Sequence, residues 1–240
     1  MQGRRRKIGL FVALLVVALA ALAAEPMTRL ARAAAFLSDL AAPPAKTPNG
    51  SPSNPGERVV EEDVRVAGRN GPIRARLYFR ADEPRGRGIV IAHGVHHDGI
   101  DERRLVAFAR ALARTGHVVL TPELAELADY RITASGVDVI RDSVADALSR
   151  RDHVEGERVG LIGFSFAGGL ALVAAEDSRV AQRLDFVTSV GGHHDLARVL
   201  RFLARNRIET PSGVRSERAH EYGLVVLVYG NLERFVPESD

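Results

Sequence analysis

The sequence contains no cysteine, which excludes disulfides, thiolate metal sites and a cysteine nucleophile. That absence leaves the compartment open, because an exported domain of this size can fold without disulfides. A basic globular surface is missing too. The formal charge is +3, but Arg4, Arg5, Arg6 and Lys7 cluster at the start. Removing those four charges leaves −1 for residues 8–240, so the globular part has no electrostatic case for nucleic acid. There is no internal repeat. What is present is ordinary for a folded domain: 46% hydrophobic and 26% charged residues, enough to bury a core.

Residues 8–24 (IGLFVALLVVALAALAA) carry no charge and follow the basic cluster directly. A basic flank before an apolar run is what membrane insertion reads. At 17 residues the run is short for a spanning helix and slightly long for a signal-peptide core. Ala21-Leu22-Ala23 offers a small-x-small cleavage pattern. The expectation for residues 1–24 is a signal-anchor or a signal peptide, with the rest outside the cytoplasm, membrane-anchored or secreted. Residues 25–56 then read as a helix over Met27–Ala42 and a flexible linker over 43–56 (PPAKTPNGSPSNPG). The remaining residues, 57–240, form the domain.

In that domain strand and helix alternate. Val59–Val66 and Ile73–Phe79 are strand-like around the turn signal Arg69-Asn70-Gly71. Short apolar runs at Gly88–Ala92, His117–Leu120, Val159–Gly163, Phe186–Val190 and Leu224–Tyr229 suit buried strands. Helical spacing marks Asp101–Thr115, Val137–Ser149, Phe166–Ala175 and Leu196–Arg205. The expected fold class is α/β, a doubly wound, mostly parallel sheet with helices on both faces. In such a sheet, chemistry gathers at the carboxyl ends of the strands.

Residues 159–169 (VGLIGFSFAGG) run a buried strand through Gly163-Phe164-Ser165-Phe166-Ala167 into an apolar helix. A serine at such a turn is held above the sheet edge, and small neighbours are needed where side chains would collide. The plain alternative is a serine capping a helix. This segment resembles the G-x-S-x-G turn of the α/β-hydrolase superfamily, with Ala167 in place of the second glycine. Upstream, GIVIA runs into His93-Gly94, similar to the family's HG element. Downstream, Val225–Pro237 (VVLVYGNLERFVP) resembles the segment that bears the triad acid. The likeness covers 57–240 and is closest to the dienelactone-hydrolase-like branch of serine esterases. It implies Ser165 as nucleophile, the amides of Val95 and Phe166 as oxyanion hole, Glu233 as the acid, and a small-molecule ester substrate with no cofactor.

The family's base follows its acid, whereas the last histidine here is His220. The resemblance therefore implies a C-terminally incomplete domain that lacks the eighth strand, the last helix and the usual base. Three explanations stay open: a truncated product, a non-catalytic binding protein on the same fold, or another histidine as base. For the last, the runs GVHHDG (94–99) and GGHHDL (191–196) follow predicted strands, and His193 or His194 is the candidate. Asp195 also reads as a cap of the next helix. His93, His96, His97, His193, His194, Asp98 and Asp195 together raise a metal site. Adjacent histidines diverge on an extended chain, so no metal is assigned. The arginines Arg198, Arg201, Arg205, Arg207, Arg215 and Arg218 read as part of a small lid or as a solvated face.

Overall fold

The computed structural model describes residues 26–38, 40–41 and 58–229. The chain divides into two compact units, 1–48 and 49–240. In the first, residues 26–38 and 40–41 are helical, as the spacing of Leu30, Leu37 and Leu40 suggests. Residues 8–24, the linker 43–56 and Glu233 lie outside the described residues. Among the described residues, no helix is long and apolar enough to cross a membrane.

The second unit opens with a hairpin, β1 (Val59–Gly68) and β2 (Gly71–Arg80), paired antiparallel around Arg69-Asn70. Then come β3 (Gly86–Ala92), α1 (Arg103–Arg114), β4 (His117–Pro122), a short α2 (Ala125–Ala128) and α3 (Ser135–Ser149). The chain continues through β5 (Val154–Phe164), α4 (Phe166–Glu176), α5 (Ser178–Ala181), β6 (Leu184–Val190) and α6 (Leu196–Arg205). A second hairpin, β7 (Arg207–Thr210) and β8 (Gly213–Ser216), precedes α7 (Glu221–Tyr229).

Six strands make one sheet in the order β1-β2-β4-β3-β5-β6. The last four are parallel, and β2 joins β4 antiparallel. Side chains along each parallel strand alternate between two cores. Val90, Ala92, Val118, Leu120 and Leu161 pack with Val137, Ile140 and Val144 of α3 and Ala171 and Ala174 of α4. Ile89, Ile91, Val119 and Ile162 pack with Leu105, Val106 and Ala109 of α1. Burial on both faces explains why these strands read as unbroken apolar runs. At about 25 cal/mol per Å² of apolar surface buried, each large core side chain contributes roughly 1.5–3 kcal/mol.

From β3 the chain moves over one face to β4, then crosses the other face to β5. The strand order thus reverses between β3 and β5, the crevice where open α/β sheets bind ligands.

One expected strand is a helix. Leu224–Tyr229 lies within α7, where Gly223 packs against Leu203 of α6 and Tyr229 lies 5.0 Å ring to ring from Tyr130. An uninterrupted apolar run has neither a two- nor a 3.6-residue period, so the pattern could not separate buried strand from helix. Among the described residues the sheet accordingly ends, on the side away from β1, at β6. Its Phe186 and Val190 stay roughly half exposed, at 44% and 46%.

Candidate functional site

Register brings the two candidate segments together. Ala92 of β3 lies opposite Gly163 of β5. The chain leaves these partners as His93-Gly94-Val95 on one side and Phe164-Ser165-Phe166 on the other. Ser165 has φ 52° and ψ −128°, and its side chain is exposed. Non-glycine residues pay roughly 1–3 kcal/mol for such backbone, so the surroundings must impose it. They do so in three ways. The Ser165 N–H donates to the Val190 oxygen at the end of β6 (2.8 Å), and the Gly168 N–H donates to the Ser165 oxygen (2.9 Å). Gly163 admits no side chain, because a Cβ there would lie 2.8 Å from the Ala167 carbonyl carbon and the Gly168 Cα.

The serine follows a strand and opens α4, so the first amides of that helix, Phe166 included, have no acceptor within it. Phe166 itself is buried. Gly94 packs flush with the turn: a Cβ there would sit 3.0 Å from the Ser165 Cβ. Val95, the next residue, is 7% exposed. The loop after β3 and the Ser165 turn thus meet at Gly94, above the β3–β5 crevice.

His93 fixes the loop that carries Val95. Its Nδ1 donates to the Gly94 oxygen (2.8 Å), and its Nε2 accepts the Leu124 N–H at the end of β4 (2.9 Å). Both ring nitrogens are thereby used, and this 3% exposed imidazole ties β3 to β4 rather than serving as a metal ligand. Sequence reasoning missed its neighbour Glu123, whose Oε1 lies 3.3 Å from the same Nε2 with no donor among the described residues. Its Oε2 accepts from the Ile100 N–H and Arg74. A carboxylate directly after the buried strand Val118–Thr121 was the available signal.

Of the two candidate bases, His193 lies over the first turn of α4. Its ring meets Phe166 edge-on at 4.9 Å, and its Nδ1 would lie 3.1 Å from a Cβ on Gly169. The Nε2 is buried with no polar partner among the described residues. His194 is exposed. Asp195 caps α6 by accepting the Arg198 N–H (2.9 Å), and that bond, first of all, holds its carboxyl below the ordinary range. The six arginines of 198–218 are all exposed. Arg215 pairs with Glu217 and Arg218 with Glu221, a solvated surface.

No family model and no curated protein matches the chain. Solved structures do. Brefeldin A esterase, a bacterial homologue of human hormone sensitive lipase, is 19% identical with a TM-score of 0.53, over 86% of this chain and 60% of its own. A dienelactone hydrolase from Anabaena variabilis is 22% identical with a TM-score of 0.48, over 58% of this chain and 67% of its own. An esterase from Pyrobaculum calidifontis is 23% identical with a TM-score of 0.43, over 66% and 48%. The chain thus spans roughly half to two thirds of the length of these structures. The sheet order, the helices divided between its faces and the likeness to brefeldin A esterase give this chain the α/β-hydrolase fold.

Proposed function

We propose that the chain is a serine-dependent hydrolase of carboxylic esters or related acyl compounds. The observation that carries this reading is Ser165 itself: exposed, at φ 52°, between β5 and α4, with Gly94 packed against it. A serine that only caps a helix has no need of strained backbone, whereas a nucleophile presented above a sheet edge does. The esterases and the dienelactone hydrolase among similar solved structures agree with this chemistry.

In the proposed reaction the Ser165 Oγ attacks the ester carbonyl carbon while a base takes its proton. The amides of Val95 and Phe166 hold the resulting oxyanion, which is worth about 2.7–4 kcal/mol per donor. The alcohol then leaves with the proton, and water cleaves the acyl-serine by the same steps. His193 is the candidate base among the described residues, because its Nε2 is unpartnered and its ring rests on Phe166. Glu233 is proposed as the acid from its sequence position. Export or membrane attachment rests on the charge-free run 8–24 behind its basic flank.

The test is fluorophosphonate labelling of the full chain beside Ser165→Ala. Labelling that vanishes in the variant supports an activated Ser165. A folded chain that does not label is a non-catalytic protein on this fold, and the hydrolase reading fails.

A further inference from the structure

The loop after β3 gathers a donor set that the serine chemistry does not use. One ring nitrogen each of His96 and His97 and a carboxylate oxygen of Asp98 lie within 4.8 Å of one another. The chain is not extended here, which is why adjacent histidines face the same way. The Gly99 N–H donates to the His96 oxygen (2.9 Å), closing a tight turn, and Asp98 has helical backbone at φ −76° and ψ −8°. The two imidazoles stack at 4.7 Å with 21° between their planes. The Asp98 carboxylate reaches both, at 3.1 Å from His97 Nε2 and 3.7 Å from His96 Nδ1. Gly99 makes the turn possible: it has φ +50°, and a Cβ there would strike the Glu123 carboxylate.

Charge points the same way. This loop borders a hollow of about 420 Å³ lined by His97, Asp98, Asp101, Glu123, Asp129 and Arg74, among others. Asp101 pairs with Arg74 and Arg76, Glu123 with Arg74, and Asp129 with Arg131. Among the described residues, Asp98 alone of these carboxylates meets only imidazoles. Its charge is therefore the one in the hollow that no guanidinium offsets.

We propose that His96, His97 and Asp98 bind one divalent transition-metal ion of the zinc class. Two neutral imidazoles and a carboxylate are the ligand types zinc takes, with water completing the shell. At Zn–N and Zn–O lengths of about 2.0–2.2 Å, tetrahedral ligand atoms sit roughly 3.3 Å apart. The observed 3.1 Å to the Asp98 Oδ1 and 3.7 Å to its Oδ2 approach that spacing, and one ligand atom from each residue lies within 4.8 Å of the other two. The imidazoles and Asp98 are partly to well exposed, so small rotamer changes can close the rest. The ion takes the lone pair that His96 Nδ1 now offers to the Asp98 N–H (3.2 Å, a long bond). Bound there, it stands on the loop that carries Val95, and it is separate from the proposed acyl transfer at Ser165.

The test is calorimetric titration of the chelator-stripped, tag-free full chain with Zn²⁺, and with Co²⁺ followed by its visible absorption. One equivalent should bind saturably, with the intense d–d bands of low-coordinate cobalt. His97→Ala and Asp98→Asn should each weaken binding about tenfold or more, and Asp129→Asn, in the same hollow, less than about twofold. The proposal is overturned if the wild type shows no saturable binding. Equal affinity in His97→Ala, or an Asp129→Asn loss as large as that of Asp98→Asn, also overturns it, since diffuse charge would then account for the uptake. All three substitutions are on the exposed surface, and circular dichroism confirms that each variant is folded.

Discussion

Gly94 lies against Ser165 so closely that a methyl group on the first would stand 3.0 Å from the Cβ of the second and 3.3 Å from the Phe164 oxygen. This contact joins the β3 loop, which carries the proposed oxyanion donor Val95, to the β5–α4 turn. The Gly94→Ala variant should therefore fold but misplace the two segments by a few tenths of an ångström or more. A displacement of about 1 Å costs up to about a hundredfold in rate when it separates reacting groups, and a smaller one costs less. The expected result is fluorophosphonate labelling slowed about ten- to a hundredfold, with the far-ultraviolet dichroism unchanged. Labelling at the wild-type rate would show that the loop does not take part.

Gly163 makes a harsher demand. The atoms a Cβ would meet there belong to the backbone of Ala167 and Gly168, which cannot rotate away as a side chain can. Gly163→Ala should destabilise the fold by about 1–3 kcal/mol, the usual cost of overpacking, and flatten the Ser165 turn. A urea midpoint within error of the wild type would mean that α4 shifts freely on the sheet.

These glycines show how the sequence could be read. The G-x-S-x-A-G pattern and the two-faced apolar strands carry their structural cause with them: tight turns need small residues, and buried parallel strands need unbroken hydrophobic runs. The sheet, its helices and the serine turn were accordingly legible, down to Leu196–Arg205 with its Asp195 cap. Contacts made across the fold were not. Leu224–Tyr229 has no periodicity to choose helix over strand, and packing against α6 decides it. His93 read as one more candidate ligand, yet the Leu124 N–H, 31 residues away in sequence, takes up its Nε2. His96 and His97 were expected to diverge because the turn at Gly99 cannot be seen in composition alone.

The core contains a poorly bonded polar atom. Tyr78 is fully buried, and among the described residues its hydroxyl makes no hydrogen bond of good geometry, although Arg76 and Thr121 lie beside it. Thr121, beside it, gives its own hydroxyl to the Arg76 oxygen (3.3 Å). Removing an unsatisfied buried hydroxyl recovers its desolvation cost, so Tyr78→Phe should be neutral or stabilising by about 1 kcal/mol in urea unfolding. A loss above that size would reveal an interaction at the hydroxyl, such as a buried water.

Asp177 gives the fold an acid-sensitive brace. Its carboxylate accepts from Arg179, through both the guanidinium and the backbone N–H (2.9 and 3.0 Å), and faces Arg141. The Arg179 side chain, first among these, holds its pKa down at about 2. A depressed carboxyl stabilises the folded chain fully above the ordinary carboxylate range, near pH 4, and loses that contribution as the pH falls toward the folded value. Asp177→Asn keeps an oxygen for the Arg179 N–H but removes the charge. The variant should thus melt below the wild type at pH 6, and the gap should narrow steadily between about pH 4 and pH 2. Thermal melts of both proteins across that range decide the matter. A gap that stays constant with pH would show that the charge of Asp177 contributes nothing, and would leave its guanidinium contacts without a measurable part.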